Sequence, residues 1–423
     1  MSLNKSNSGK SAIPATHSKT VSARRHDLDW LRVIAFGILI YFHTAVAFLP
    51  DGLPLTLNAQ SSPIIGIGVF FSAQFRLGLL FFISGCGVYF ALRRRTRKQF
   101  FMERSQRLLI PLAFGITLLV PIMVYFEKRY LGLIDPGALD FYLGYFTGGI
   151  YPSGTLSWHH FWFIAYLYIF CLLGWSVFSR LQEGRAWSWL RLLIEQSRES
   201  DWSLYKVILP LLFIEFVLRP LFPGFRDLIH DWASFSHWFV LFVCGYVFAS
   251  NPHLLEAAKR LRRLNLVFAV LSATLLIALF YDAESYSIVL FVDGQNDVLR
   301  FALFSFVRAA NPWLWLLVCV GYAAQHLNRP SKVIRYLNEA VYPFFCLHLT
   351  VLVILEYWIL PKDWSITFKY WLITTLAIVL ILVCYEGLRR VHFVRPLIGL
   401  KPQPAQEADL SKAIHASPQP KEI

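Results

Sequence analysis

The feature that most constrains this chain is a series of apolar runs, each about as long as a lipid bilayer is thick. A helix needs roughly 20 apolar residues to cross the hydrocarbon core, and ten such runs occur between charged or Pro/Gly-containing breaks. The runs are residues 28–49, 66–92, 108–126, 160–179, 204–222, 233–249, 264–281, 301–325, 341–360 and 369–388. The pattern predicts an all-α fold, a polytopic integral membrane bundle of about ten transmembrane helices.

Composition favours one membrane domain between two polar ends. Of the 423 residues, 56% are hydrophobic and only 16% are charged, which is far from the composition of a soluble globular chain. Residues 1–26 and 402–423 are polar and cannot support a packed core. We therefore expect a disordered cytoplasmic tail at 1–26, a transmembrane domain at 27–401 and a second disordered cytoplasmic tail at 402–423.

The net charge of +14 is distributed along the chain in a way that indicates membrane topology. If the amino terminus is cytoplasmic, 30 of the 40 Lys and Arg residues lie on inner segments and six on outer loops. Cytoplasmic loops retain such residues and translocated loops do not. We therefore expect the basic charge to face the membrane lipid of the inner leaflet, and we expect no nucleic-acid partner.

The first apolar run carries two ionisable residues on one helix face. Arg32 precedes His43 by eleven residues, which is close to three helical turns and separates the two side chains by about 16 Å along the axis. His43 is therefore expected in the outer part of the bilayer, with Arg32 beneath it at the cytoplasmic end. Ionisable residues inside apolar spans are costly and are candidates for function.

A pair of arginines marks the start of the third run. Arg104 and Arg107 are three residues apart, so they are neighbours on a helix surface at the cytoplasmic boundary. Guanidinium groups bind phosphate in a bidentate manner, so these two and Arg32 form a plausible clamp for a polyphosphorylated donor. The alternative is that they are topology anchors, and spacing alone leaves both interpretations open.

Further polar residues occupy the outer halves of several runs. Arg76 and His348 lie nearest the middle of the bilayer, while His160 and Trp162 open the fourth run. The others are Glu215, Arg219, His237, Arg308 and Glu356. Such clustering indicates a hydrated pocket reached from outside, with aromatic rings that stack on a sugar; the alternative for each residue is a buried ion pair.

Other chemistries lack their motifs in this chain. There is no P-loop, no Gly-x-Ser-x-Gly, no His-Glu-x-x-His and no Gly-x-Gly-x-x-Gly on a strand-to-helix turn. The six cysteines stand singly in apolar stretches, without the spacing of a metal or redox site. We therefore expect no metal site.

Six segments carry a likeness to a known family. They are Leu28-Asp29-Trp30-Leu31-Arg32 with the following His43, FRLGLLFFISGCGVYFA (75–91), Arg104-x-x-Arg107, His160-Phe161-Trp162-Phe163, YPFFCLHL (342–349) and YEGLRRVHFVRPLIGLK (385–401). Together they resemble the acyltransferase 3 membrane acyltransferases, and within that family the branch around glucan biosynthesis protein C.

The resemblance implies ten transmembrane helices, a cytoplasmic amino terminus and an acyl-CoA donor substrate, with no permanently bound cofactor. It also implies a hydroxyl acceptor on an envelope carbohydrate, a glucan in the branch named above. The essential histidine of the family matches His43, its first-helix basic residue matches Arg32, and its arginine pair matches Arg104 and Arg107. The location expected from this resemblance is a bacterial inner membrane.

Two hypotheses follow. In the first, the chain is an O-acyltransferase that moves an acetyl- or succinyl-type group, with neutral His43 as general base. Arg76 then stabilises the oxyanion or binds a carboxylate on the donor, and His160, Trp162 and His348 contact substrate. An acyl-histidine intermediate is a variant of this route. In the second hypothesis, the chain is a non-enzymatic carrier or flippase for an acylated or sugar-linked molecule. The sequence leaves protein partners open.

Overall fold

A computed structural model of the chain describes residues 24–49, 60–134, 137–182, 200–224, 226–281 and 295–401. Most of the expected amino-terminal tail and all of the expected carboxy-terminal tail lie outside these residues. Twelve helices occur in the described ranges: α1 His26–Val46, α2 Pro63–Leu92, α3 Arg97–Tyr130, α4 Ala138–Gly144, α5 Trp162–Gln182, α6 at residues 201–221, α7 Trp232–Ser250, α8 Pro252–Arg260, α9 Arg262–Tyr281, α10 Gln295–His326, α11 Lys332–Ile359 and α12 Ile366–Leu388.

The fold class predicted from the apolar runs is confirmed. In the described part of the chain, nine helices are long and apolar enough to cross a membrane, namely α1, α2, α3, α5, α7, α9, α10, α11 and α12. The protein is therefore an all-helical, polytopic integral membrane bundle. The fifth predicted run is absent from this set because α6 is not one regular helix.

Helix α6 combines several helical geometries. It starts as a 3₁₀ segment at Asp201–Val207, becomes α-helical, and passes through a π segment at Ile214–Leu218 before it ends. It runs antiparallel to α7: Arg219 near its end donates to Ser234 at the start of α7 at 2.7 Å. Asp201 at its beginning pairs with Arg260, which follows the end of α7. By this packing, α6 belongs to the bundle in addition to the nine helices named above.

Close backbone approach joins α2 to α7 in the core. A Cβ atom added to Gly85 would collide with the carbonyl of Phe242, and one added to Gly245 would collide with the carbonyl of Phe82. Small residues of this kind let transmembrane helices approach each other closely. The contact holds the middle of α2, and with it the position of Arg76, against the rest of the bundle.

Local hydrogen bonds set the first turns of α3 and α11 and the contact between α1 and α11. Thr96 and Gln99 form a capping box that starts α3 shortly before Arg104. Ser331 caps α11 by accepting from the backbone N–H of Ile334. Asn338 of α11 donates to Asp29 of α1 at 3.0 Å, so α1 and α11 pack with their inner ends in register.

Candidate active site

Three histidines from distant parts of the chain meet within the bundle. His43 lies on α1, His160 lies in the 3₁₀ turn before α5, and His348 lies on α11. The ring of His348 is 5.0 Å from that of His43 and 4.9 Å from that of His160, measured between centroids. His160 and His348 are buried, whereas His43 is partly exposed. This histidine cluster unites three of the residues expected at the site.

Backbone carbonyls determine which nitrogen of each ring carries the proton. Nδ1 of His43 lies 3.0 Å from the carbonyl oxygen of Leu39, and Nδ1 of His348 lies 2.8 Å from that of Phe345. A carbonyl oxygen only accepts, so Nδ1 must donate in both rings, and in a neutral ring the lone pair is then on Nε2. Nε2 of His43 is therefore arranged to accept a proton.

Arg76 places a buried positive charge beside these rings. Its side chain is 3% exposed, and Nε and Nη1 have no hydrogen-bond partner within the described residues. The guanidinium carbon lies 3.8 Å from the ring centroid of Phe42, and its charge interacts with His43 and His348. A buried cation without an acidic partner is costly, so this position favours an anion or a developing negative charge.

A loop between α6 and α7 covers the outer side of this region. Burial lowers the pKa of Arg226, whose guanidinium lies 5.0 Å from the ring of Trp162. Asp231 accepts from the Tyr166 hydroxyl at 2.9 Å and from the Arg226 N–H at 2.8 Å. Burial raises the pKa of Asp231, although hydrogen bonds from Ser234 and Tyr166 oppose this effect.

The indole of Trp162 is buried and packed against neighbouring side chains. It is 5% exposed, and its ring lies 4.7 Å from that of Trp238, in addition to its contact with Arg226. The faces of the indole are therefore covered by protein in this conformation. Stacking of Trp162 on a sugar would require that one of these neighbours move.

The three arginines expected to bind the donor form a second cluster, near the start of α1 and in the first third of α3. The charge of Arg32 interacts with those of Arg107 and Arg104. Arg32 also donates to Asn338 at 3.0 Å and lies 3.7 Å from Asp29. No carboxylate lies within 4.0 Å of the guanidinium nitrogens of Arg104 or Arg107 in the described ranges, so both are free to meet an anion.

Helix α11 connects the arginine cluster to the histidine cluster. One face of α11 carries four residues at successive intervals of four, three and three: Asn338, Tyr342, Phe345 and His348. Together they span about 15 Å along the helix. On α1, Phe36 lies between Arg32 and His43, and its ring is 6.0 Å from that of Phe345. An aromatic pair therefore separates the two polar clusters.

Tyr342 was not among the residues expected from the sequence. Its hydroxyl is buried and has no hydrogen-bond partner within the described residues, and it interacts electrostatically with Arg107 and Arg104. A buried hydroxyl beside two guanidinium groups is suited to donate to an anion that these groups attract. The sequence does carry a signal for Tyr342, because it lies six residues before His348 and so on a similar face of α11. That spacing indicates a shared site only when α11 is known to pack against α1.

The other outer polar residues lie apart from the histidine cluster. Glu215, Arg219, His237 and Arg308 border a cavity of about 310 Å³ between α2, α6, α7, α9 and α10. Glu356 is buried on α11, two turns beyond His348. The residues expected around one outer pocket therefore occupy at least two places. Within the described residues, no group of three or more His, Cys, Asp or Glu side chains has the arrangement of a metal site.

Comparison with known proteins identifies the domain to which these clusters belong. The acyltransferase 3 family model, described as an acyltransferase domain, matches residues 25–385. The matched range contains all of the histidine cluster and the arginine cluster. No curated protein and no solved structure shows a significant match to the chain.

Proposed function

The chain belongs to the acyltransferase 3 family, and on that premise we propose that it is an O-acyltransferase of a bacterial inner membrane. The donor is cytosolic acyl-CoA with a short acyl group of the acetyl or succinyl type, and the acceptor is a hydroxyl of an envelope carbohydrate such as a glucan. The observation that supports this most is the contact of His43 Nδ1 with the carbonyl of Leu39, which leaves the lone pair on Nε2. The same site holds Arg76, whose Nε and Nη1 have no hydrogen-bond partner within the described residues.

The arginine cluster is suited to the nucleotide end of acyl-CoA. Arg32, Arg104 and Arg107 bind its phosphate groups from the cytoplasmic side, and the hydroxyl of Tyr342 donates to a phosphate oxygen. The extended pantetheine arm then follows the shared face of α1 and α11, past Phe36 and Phe345. The distance of about 15 Å between the clusters is one that such an arm can span.

The histidine cluster is suited to the transfer step. Nε2 of His43 takes the proton of the acceptor hydroxyl while the hydroxyl oxygen attacks the thioester carbonyl carbon. The carbon–sulfur bond breaks, and the departing thiolate of CoA receives the proton from His43, so the products are an ester and free CoA. General-base catalysis of this kind contributes about 10²–10⁴-fold.

Arg76 stabilises the negative charge that develops on the carbonyl oxygen during this step. A guanidinium held in a water-poor site is more effective for this purpose than one in solution. If the donor is of the succinyl type, the same group binds the free carboxylate instead. The acceptor contacts His160 and His348, whose rings pack together beside His43, and it contacts Trp162 only when one of the neighbours that cover the indole moves.

The test is release of free CoA by purified protein in liposomes that contain acyl-CoA and candidate glycans. We expect His43→Ala to lower the rate by at least about 100-fold, whereas His253→Ala, on the distant helix α8, leaves it unchanged. Equal rates in wild type and a folded His43→Ala variant would contradict the proposed base. Movement of labelled acceptor across the membrane without any CoA release would favour the carrier hypothesis.

A further inference from the structure

A second group of ionisable side chains lies in the bundle apart from the histidine cluster. Glu215 of α6 is 2% exposed and accepts from Nη2 of Arg219 at 3.0 Å and from Nε of Arg219 at 3.3 Å. Nε of Arg308, on α10, forms an ion pair with the same carboxylate at 3.2 Å. One carboxylate is therefore shared by two guanidinium groups.

The two arginines differ in how many of their donors are used. Each nitrogen of Arg219 has a partner, because the remaining one, Nη1, donates to Ser234 at 2.7 Å. Arg308 uses only Nε within the described residues, so Nη1 and Nη2 are left with four N–H groups. The side chain of Arg308 is 28% exposed and borders the cavity of about 310 Å³.

A histidine adds a second unsatisfied group to the same cavity. His237 is 8% exposed, its Nδ1 has no hydrogen-bond partner in the described part of the chain, and the ring borders the cavity. Nδ1 lies 3.7 Å from Oε1 of Glu215, which is too far for a hydrogen bond. Asp231, which precedes α7, interacts electrostatically with both Arg219 and Arg226. Among these side chains, two carboxylates face three guanidinium groups, so positive charge is in excess by one.

The helices that line the cavity are irregular at this point. Glu215 lies in the π segment of α6, and such segments occur frequently at functional sites. Pro312 of α10 also borders the cavity, and because proline lacks an N–H it leaves the carbonyl of Arg308 without its helical hydrogen bond. Both irregularities therefore lie in the wall of the cavity.

We propose that this cavity binds an oxyanion, a carboxylate or a phosphate, through Arg308 and His237. Guanidinium nitrogens pair with such groups in a bidentate manner. The volume equals that of about ten water molecules at roughly 30 Å³ each, which suits a sugar acid, a sugar phosphate or a glycerophosphate group. Trp238 and Phe304 supply apolar surface for the rest of the ligand. This site is independent of the proposed transfer at His43.

The test is thermal unfolding of the purified full-length protein with sodium phosphate, succinate or glucose, at an ionic strength held constant with chloride. We expect phosphate or succinate to raise the unfolding temperature and glucose to leave it unchanged; the more effective anion identifies the source of the oxyanion. Arg308→Gln should weaken the apparent affinity by about ten- to a hundredfold, whereas Arg300→Gln, on the same helix, should not. Arg104→Gln should retain the effect, which separates it from binding at the arginine cluster.

Glu215→Gln provides an independent signature. Removal of the carboxylate leaves two guanidinium groups uncompensated, so the variant should unfold at a lower temperature in chloride and be restored by phosphate or succinate. Failure of both anions to restore it would indicate a structural ion network and would overturn the proposal. The proposal is also overturned if the anions raise the unfolding temperatures of wild type and Arg308→Gln equally, or if glucose is as effective as the anions. If Arg308→Gln misfolds, Arg104→Gln still decides between the sites, because loss of the anion effect in Arg104→Gln would assign it to the arginine cluster and overturn the proposal.

Discussion

Within the described residues, Arg104 and Arg107 differ from the neighbouring Arg95 in having no carboxylate within 4.0 Å of their guanidinium nitrogens. Arg95 is paired with Glu103 at 2.5 Å. The charges of Arg104 and Arg107 instead face Arg32. Three like charges brought together inside one fold repel each other, and a bound polyanion would relieve that repulsion.

We expect Arg104→Ala to raise the KM for acyl-CoA by about ten- to a hundredfold with little change in kcat, because one charge-assisted contact to the donor is lost. Steady-state release of CoA at varied donor concentration measures both constants. Arg94→Ala, at an exposed position on the same cytoplasmic segment, serves as the control. A lower kcat with an unchanged KM would place Arg104 outside the donor site.

Tyr342→Phe tests the unpaired hydroxyl beside the arginines. Because this hydroxyl has no partner in the described part of the protein, its removal should leave the free energy of unfolding unchanged or slightly higher. The KM for acyl-CoA should rise by about three- to tenfold, since a hydrogen bond to phosphate is lost. A clear loss of stability with an unchanged KM would show that the hydroxyl serves the fold instead.

At the scale of helices, the irregularities of α3 and α6 follow from what each helix must contact. The π segment Gly115–Leu119 of α3 brings Gly115 against the ring of Phe161, where a Cβ atom would collide with that ring. Phe161 is adjacent to His160, so this contact fixes the start of α5. Apolar length alone predicted a third span of 108–126, but α3 begins at Arg97 because its first turns are a capped, polar helix.

The faces of α1 and α11 enclose an aromatic seal between two polar clusters. Phe345 is 6% exposed, and its ring contacts those of Phe36 and His160. A hydrophobic constriction of this kind excludes water from a path through the membrane. The thioester would then be protected from hydrolysis until an acceptor is bound.

We expect Phe345→Leu to increase hydrolysis of acyl-CoA in the absence of acceptor several-fold, and to increase passive proton entry into liposomes. Phe170→Leu alters a buried phenylalanine in the α5–α7 aromatic cluster and controls for the general effect on packing. A fluorescent pH indicator inside the vesicles reports the leak. If both variants lose stability equally and neither leaks, Phe345 is only a core residue.

At the scale of the whole molecule, the topology depends on whether α6 crosses the membrane. With α6 as a membrane span, five crossings separate the loop after α4 from the turn between α10 and α11, so the two lie on opposite sides. Without it, four crossings separate them and both lie on the same side.

Single cysteines at Ser153 and Pro330, both exposed positions, distinguish these cases in a background without the six native cysteines. We expect an impermeant maleimide to label Ser153→Cys in intact cells and to label Pro330→Cys only after permeabilisation. Labelling of both from the same side would exclude α6 as a span, despite its antiparallel packing against α7.

The sequence alone predicted the properties that depend on residues close together along the chain. Hydropathy and the distribution of basic residues predicted a bundle of about ten helices, and eleven-residue spacing placed Arg32 and His43 on one face of α1, because helical geometry is local. Recognition of the family at the level of acyltransferase 3 is confirmed by the match over residues 25–385, whereas the glucan branch stays a proposal.

Only the tertiary structure decided which of these helix faces meet. The approach of His160 and His348 to His43 depends on contacts between helices far apart in sequence. The same is true of the two nitrogens of Arg76 that have no hydrogen-bond partner within the described residues, and of the separation of Glu215 and Arg308 into another cavity. In a membrane bundle nearly every face is apolar, so hydropathy cannot say which one faces a neighbour. Side-chain packing between helices makes that choice.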